Sequence, residues 1–454
     1  GRRASGGEEV DGSEDEEERE DVSSVGLIAK LLRLSAAATR GCEAAKVSFV
    51  QSSLPPELAP SLPRTRRGGV AAVVASLSSP SPPVRSEACR VLASLCRYDD
   101  RRAPSSGDGG AGGPPATSSA HDHAQEFHRA GAPALLVGMA RRALDGGEAR
   151  GSPDALAGVL TALRVLAVND EVVQTLVALG VLPLVAAALG SGVSPGESQD
   201  NTAGGGDGAS LRSGRRRLAS SSLGLLRNLC GNDEVKTNLC LGSSDGRIRS
   251  VLPSLLSAMS SHPSSAAVQE HGCGALAAMA LRRPRNARAI LAGDGPRRIL
   301  DGMRGHPSSP AVQRQGALAV RNVASRLMRD AAAAGEENNL PATEDPEDGG
   351  AAAVRDAFLC LGAEDVLRNV AGRHQGSVDE AYAALRDLGV KVSLVKFTAD
   401  DLTSSGSGGG VGTGGRTMMF GERHNGSFRP VYDESPGLGG RVSEACSSRI
   451  AAGR

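Results

Sequence analysis

Four arginines, Arg164, Arg227, Arg321 and Arg386, hold the same place in a recurring phrase of this chain, beside Val165, Asn228, Asn322 and Asp387. A guanidinium presents five N–H donors in a planar fork. A row of them is therefore suited to an extended acidic segment, held by charge-assisted hydrogen bonds. The competing role is structural, because an arginine in the last turn of a helix complements the helix dipole. The other cluster that invites chemistry is His121, Asp122, His123 and His128. A metal site needs convergent ligands, and no cysteine or carboxylate set surrounds these histidines in sequence, so solvated or capping rings are expected. Gly406 to Gly415 has the glycine content of a phosphate loop but neither the lysine nor the preceding strand. No nucleophile–base pair is recognisable. The expectation is a protein without catalytic residues, metal, cofactor or small-molecule substrate.

These residues sit on a repeated helical unit. L-R-V-L-A-V-N-D-E-V, Leu163 to Val172, returns as L-R-N-L-C-G-N-D-E-V, Leu226 to Val235. Leu218, Leu225, Leu226 and Leu229 follow helical spacing, so one face is apolar. Gly231 can end that helix, and Asn232 or Asp233 can cap the next. A second phrase, H-P-S-S-A-A-V-Q-E-H-G from His262, returns 44 residues later as H-P-S-S-P-A-V-Q-R-Q-G from His306. Each reads as a turn followed by a helix. Gly131, Gly180, Gly295 and Gly362 open aliphatic segments, and Pro133, Pro183 and Pro253 stand near helix starts. Val70 to Leu77 and Val84 to Leu95 mark two further helices around Pro80 to Pro83.

The organisation expected is all-α. Residues 1–24 are acidic and expected to be disordered, and 25–67 read as a capping helix with a Pro-rich connector. Residues 68–397 form a repeat solenoid with loop insertions at 101–119, 191–213 and 330–350. Residues 398–454 are Gly/Ser-rich and expected to be disordered.

Composition narrows the function further. Hydrophobic residues make up 40% of 454, yet aromatics only 2% with no Trp, so the core must be aliphatic. A formal net charge of zero and few aromatics argue against a nucleic-acid partner, and no apolar run is long enough to span a membrane. The eight cysteines form no C-x-x-C pair and are expected to be mostly buried, reduced thiols, which implies a cytoplasmic setting, with the nucleus also allowed.

A helical period of 44 residues lies in the armadillo/HEAT range. The pattern Gly-x-x-x-x-Leu and the closing L-R-N-L-x-G-N-D resemble armadillo repeats. From Leu218 to Phe397 the order and wording resemble the armadillo repeat-containing protein 6 family, notably G-L-L-R-N-L-C-G-N-D-E-V-K, A-L-R-R-P-R-N-A-R and A-A-L-R-D-L-G-V-K-V. The resemblance implies a right-handed superhelix of three-helix repeats, third helices lining a concave groove, and no catalysis. It also implies that Asn228 and Asn322 hydrogen-bond the backbone of an extended peptide. The Trp partners of nuclear-import receptors are absent. The function expected is a non-catalytic scaffold for a protein partner presenting an acidic segment. The alternative is a nuclear-transport-type receptor or adaptor for basic peptides.

Overall fold

The computed structural model describes residues 13–52, 68–97, 119–146, 152–192, 206–337, 350–392, 422–424 and 427–429. A long helix, α1 (Ser13–Ala38), leads. Six triads follow in chain order. They are α2 (Glu43–Gln51), α3 (Gly69–Leu77) and α4 (Pro82–Leu95), then α5 (Ala120–Arg129), α6 (Ala132–Leu144) and α7 (Pro153–Leu166). The third comprises α8 (Asp170–Ala178), α9 (Val181–Gly192) and α10 (Gly206–Leu229). The fourth comprises α11 (Asp233–Leu241), α12 (Leu252–Ser261) and α13 (Ala266–Ala280). The fifth is α14 (Pro284–Ala292), α15 (Gly295–Gly305) and α16 (Pro310–Glu337), and the sixth is α17 (Gly350–Leu359), α18 (Ala363–Arg373) and α19 (Val378–Asp387). This is an all-α solenoid of three-helix repeats. None of the described helices is by itself long and apolar enough to cross a membrane.

Two compact units divide the chain, Gly1–Val185 and Ala186–Arg454. In the first, α1 lies along α4 and α4 along α7, so these three form one layer. Val84, Ala88, Val91, Leu92 and Leu95 face inward and are buried. In the second unit α10, α13, α16 and α19 pack in succession. The second helices α12, α15 and α18 also stack in order, and α11 packs on α14. Leu225, Leu226 and Leu229 of α10 are fully buried, each contributing about 1.5–3 kcal/mol of apolar transfer.

The turns follow from a few residue types. Gly131, Gly180 and Gly362 carry φ of 84°, 83° and 73° where the first helix of a triad breaks into the second, a conformation that a Cβ strains. Asn169 and Asn232 are N-caps: Asn169 accepts from Val172 N–H at 2.9 Å, and Asn232 accepts from Glu234 and Val235 N–H, each at 3.1 Å. The repeated N-D-E-V phrase is thus a helix start whose acids sit at the positive end of the dipole.

The structure differs from the expected boundaries in five places. The helix α1 begins at Ser13, inside the stretch 1–24 expected to lack structure, because Glu and Arg are good helix formers. Its packing on α4 starts the solenoid before residue 68. The helix α10 begins at Gly206 within the insertion 191–213, and α16 runs to Glu337 within 330–350, where Arg, Leu, Met and Ala continue the helix. Within 398–454, two short strands, β1 (Glu422–His424) and β2 (Ser427–Arg429), pair antiparallel. The Pro-rich connector Leu54 to Pro63 and the Gly-rich run Gly406 to Gly415 lie outside the described residues.

Candidate functional site

The third helices carry the arginine row, and buried polar side chains hold them at both ends. At the N-terminal end, Gln269 Nε2 donates to Met259 O at 2.8 Å and His262 O at 3.0 Å. Gln313 Nε2 repeats this with Met303 O at 2.7 Å and His306 O at 2.8 Å. Each glutamine thereby satisfies carbonyls that the end of the second helix leaves open. In the first unit Arg85 has the same role, its Nη1 donating to Ser79 O at 2.8 Å and Pro80 O at 2.6 Å. The His-Pro turns also stack, with His306 Nε2 2.8 Å from Pro263 O and His374 Nε2 2.8 Å from Pro307 O. A carbonyl only accepts, so both Nε2 atoms carry the proton.

At the C-terminal end, Lys236 is buried with Nζ 3.0 Å from Leu281 O and 2.7 Å from Asp233 Oδ1. Lys46 does the same in the first unit, donating to Arg97 O at 2.9 Å. The next repeat contributes a second cap. His123 Nδ1 donates to Leu95 O at 3.0 Å, and Asn286 Nδ2 to Met279 O at 3.0 Å. His123 is therefore a buried cap, while His128 Nε2 lies 3.1 Å from Thr175 Oγ1. His123 and His128 are thus taken up by helix packing, while His121 and Asp122 are exposed.

In the second unit, Arg227 crosses from α10 onto α13. A Cβ at Gly274 would stand 2.9 Å from Arg227 Cδ and 3.2 Å from Gln315 Oε1, so the missing side chain at Gly274 is what lets the arginine lie there. Arg227 is half-buried and makes no hydrogen bond or ion pair among the described residues. Further along the layer, Arg321 Nε is 3.9 Å from Asp387 Oδ2, and Arg386 Nη2 is 3.5 Å from Asp387 Oδ1. Asp387 thus draws two of the row's arginines together. Its side chain is only 17% exposed, against 72% for Arg386.

Asn322 makes a contact within the layer. Its Nδ2 donates to Ala277 O on α13 at 2.9 Å. Small Ala277 and Ala278 leave that backbone within reach, so the amide donor ties two third helices together. Asn228 is half-buried on α10. Arg164 sits in the last turn of α7, in the first unit.

The cysteines follow the expectation in part. Cys89, Cys96, Cys230, Cys240 and Cys273 are free and buried, but Cys42 is exposed and Cys360 is disulfide-bonded. Burial pushes the Cys89 and Cys273 thiols up to about 12. Sequence reasoning missed Lys236, Gln269 and Gln313. The signal for the glutamines was present, since Val-Gln stands at one place in both His-Pro-Ser-Ser repeats.

No family model matches the chain. A curated relative, Armadillo repeat-containing protein 6 of Homo sapiens, is 28% identical over 205 residues, 45% of this chain and 34% of the relative. The chain thus spans about a third of the length of that relative. Among solved structures, an engineered protein is similar with a TM-score of 0.46 and 16% identity, covering 70% of this chain and 98% of that one. A designed armadillo repeat protein in complex with the peptide (KR)4 has a TM-score of 0.42 and 16% identity, with the same coverage, 70% and 98%.

Proposed function

We propose that this armadillo-repeat chain is a non-catalytic interaction scaffold, and that the third-helix layer of its second unit takes an extended acidic segment of a protein partner. The observation that carries the reading is Arg227, a half-buried guanidinium laid over Gly274 with no partner of its own among the described residues. A charged donor set held this way has already lost much of its rotamer freedom, so an incoming carboxylate forms charge-assisted bonds at reduced entropic cost. Neighbouring packed helices lie about 8–10 Å apart, and an extended peptide rises about 3.3 Å per residue. Arg227 on α10 and Arg321 on α16 are two helix steps apart, and Arg386 on α19 is one step further. The matching ligand carries acids at about i, i+6 and i+9.

A basic segment fits less well. The acid that the row offers it is Asp387, which Arg321 and Arg386 already approach. Cytoplasmic placement belongs to the same proposal; the five buried free thiols support it, whereas the Cys360 disulfide favours an oxidising setting.

The test is a quantitative pull-down from lysate with the full chain as bait, against its Arg227→Glu/Arg321→Glu variant at matched helicity. Partners lost only from the variant support the reading and supply sequences to search for the acidic spacing. Identical partner lists overturn it.

A further inference from the structure

We infer that α1 is a self-association surface that pairs antiparallel with α1 of a second copy of this chain. Toward α4 the helix presents Ala29, Leu32 and Ala36, all buried. Away from α4 it presents Leu27, Leu31 and Leu34, with Ile28 beside them, at exposures of 58%, 55%, 65% and 43%. The spacing i, i+4, i+7 is that of a stripe built to meet another helix. These four account for half of the large apolar side chains that stand exposed among the described residues. The stripe is also held in place. Arg33 Nε and Nη2 donate to Glu87 Oε1 on α4 at 3.2 and 3.0 Å, fixing α1 on its neighbour.

The layer to which α1 belongs says what kind of element fits. The helix α4 has a third-layer partner on each side, α1 and α7, whereas α1 has one on the α4 side only among the described residues. An apolar helix is therefore the natural occupant, and charge selects which one. Seven of the eight residues Glu14 to Asp21 are acidic, whereas Lys30, Arg33 and Arg40 follow in and beyond the second half. Lys30 and Arg40 make no side-chain hydrogen bond or ion pair among the described residues. A parallel pair would set two acidic halves side by side, which costs stability. An antiparallel pair about a two-fold axis near Leu31 sets the apolar stripes together and opposes the basic end of one copy to the acidic end of the other. The surface is self-complementary, as an isologous interface requires.

Sedimentation velocity of the full chain from roughly 1 to 100 μM tests this. The expected result is a concentration-dependent dimer. Leu27→Glu/Leu31→Glu, which changes only exposed side chains and leaves the helical circular dichroism intact, weakens it at least about tenfold. Arg40→Glu weakens it at low salt and less so at high salt, since exposed charges are screened. A chain that stays monomeric across the range overturns the inference, whatever other protein the stripe binds. So does a double variant that dimerises like the parent. A dimer indifferent to Arg40→Glu rules out the antiparallel arrangement.

Discussion

Replacing Lys236 with Met removes the buried ammonium that closes the C-terminal end of α13 while keeping most of the side-chain volume. Two bonds are lost, to Leu281 O at 3.0 Å and to Asp233 Oδ1 at 2.7 Å. The Asp233 side chain is 42% exposed, so water replaces much of that contact and only the bond to Leu281 O enters the estimate. A hydrogen bond from a charged donor is worth about 1.5–3 kcal/mol, which sets the expected destabilisation. Hydrogen exchange should report it as faster opening of amides from Leu281 to Ala287, at the junction of α13 and α14. A specific signature accompanies it. The hydrogen bond from Lys236 holds the Asp233 carboxyl below its ordinary value against burial, which raises it, and the charges of Lys236, Arg282 and Arg283 add smaller lowering effects. A depressed folded-state value gives stability that is complete above the unfolded value and is lost as pH falls through the folded one. In the variant the carboxyl returns toward the ordinary range, so the gap between parent and variant narrows in acid. A variant with parental exchange rates, or one in which Asp233 titrates as before, refutes the capping argument.

Other outcomes follow from the same packing. Gln313→Ala leaves Met303 O and His306 O without their buried donor, and chemical denaturation should show a loss of about 2–3 kcal/mol. Asn232→Ala removes an N-cap that accepts two N–H groups and should cost about 1 kcal/mol, read as a lower thermal midpoint, while exposed Ser260→Ala leaves it unchanged. Alkylation at pH 8 should label Cys42 well before Cys89 and Cys273. Those two thiols sit near 12, so the thiolate is on the order of one part in ten thousand. Equal labelling rates in native protein contradict that burial.

The repeat was legible where local chemistry dictates structure. N-D-E-V announces an Asn cap with acids in the first turn, and the structure uses Asn169 and Asn232 in that way. Gly131, Gly180, Gly295 and Gly362 mark where aliphatic helices open, the first, second and fourth through a left-handed turn and Gly295 as the first residue of α15. The leucine stripe of α10 announces burial for the same reason. Contacts between repeats were not legible. Lys236 is buried because α13 ends above it, and Asn322 meets Ala277 O at 2.9 Å, contacts that no local pattern encodes. The acidic run before Val25 masks a helix whose second half packs on α4. For the arginine row, spacing alone showed recurrence. It did not show that Asp387 gathers Arg321 and Arg386 while Arg227 stays unpaired among the described residues.

The central claim is that Arg227 anchors an acidic extended ligand, and fluorescence anisotropy tests it most directly. Two peptides of equal length are titrated into the full chain, one with Glu at i, i+6 and i+9 and one with Lys there, and both are repeated with Arg227→Glu. The account predicts that the parent binds the Glu peptide and that the variant binds it about 10- to 100-fold more weakly, the equivalent of about 1.5–3 kcal/mol. Equal affinity of parent and variant for the Glu peptide, or a parent that prefers the Lys peptide, contradicts it.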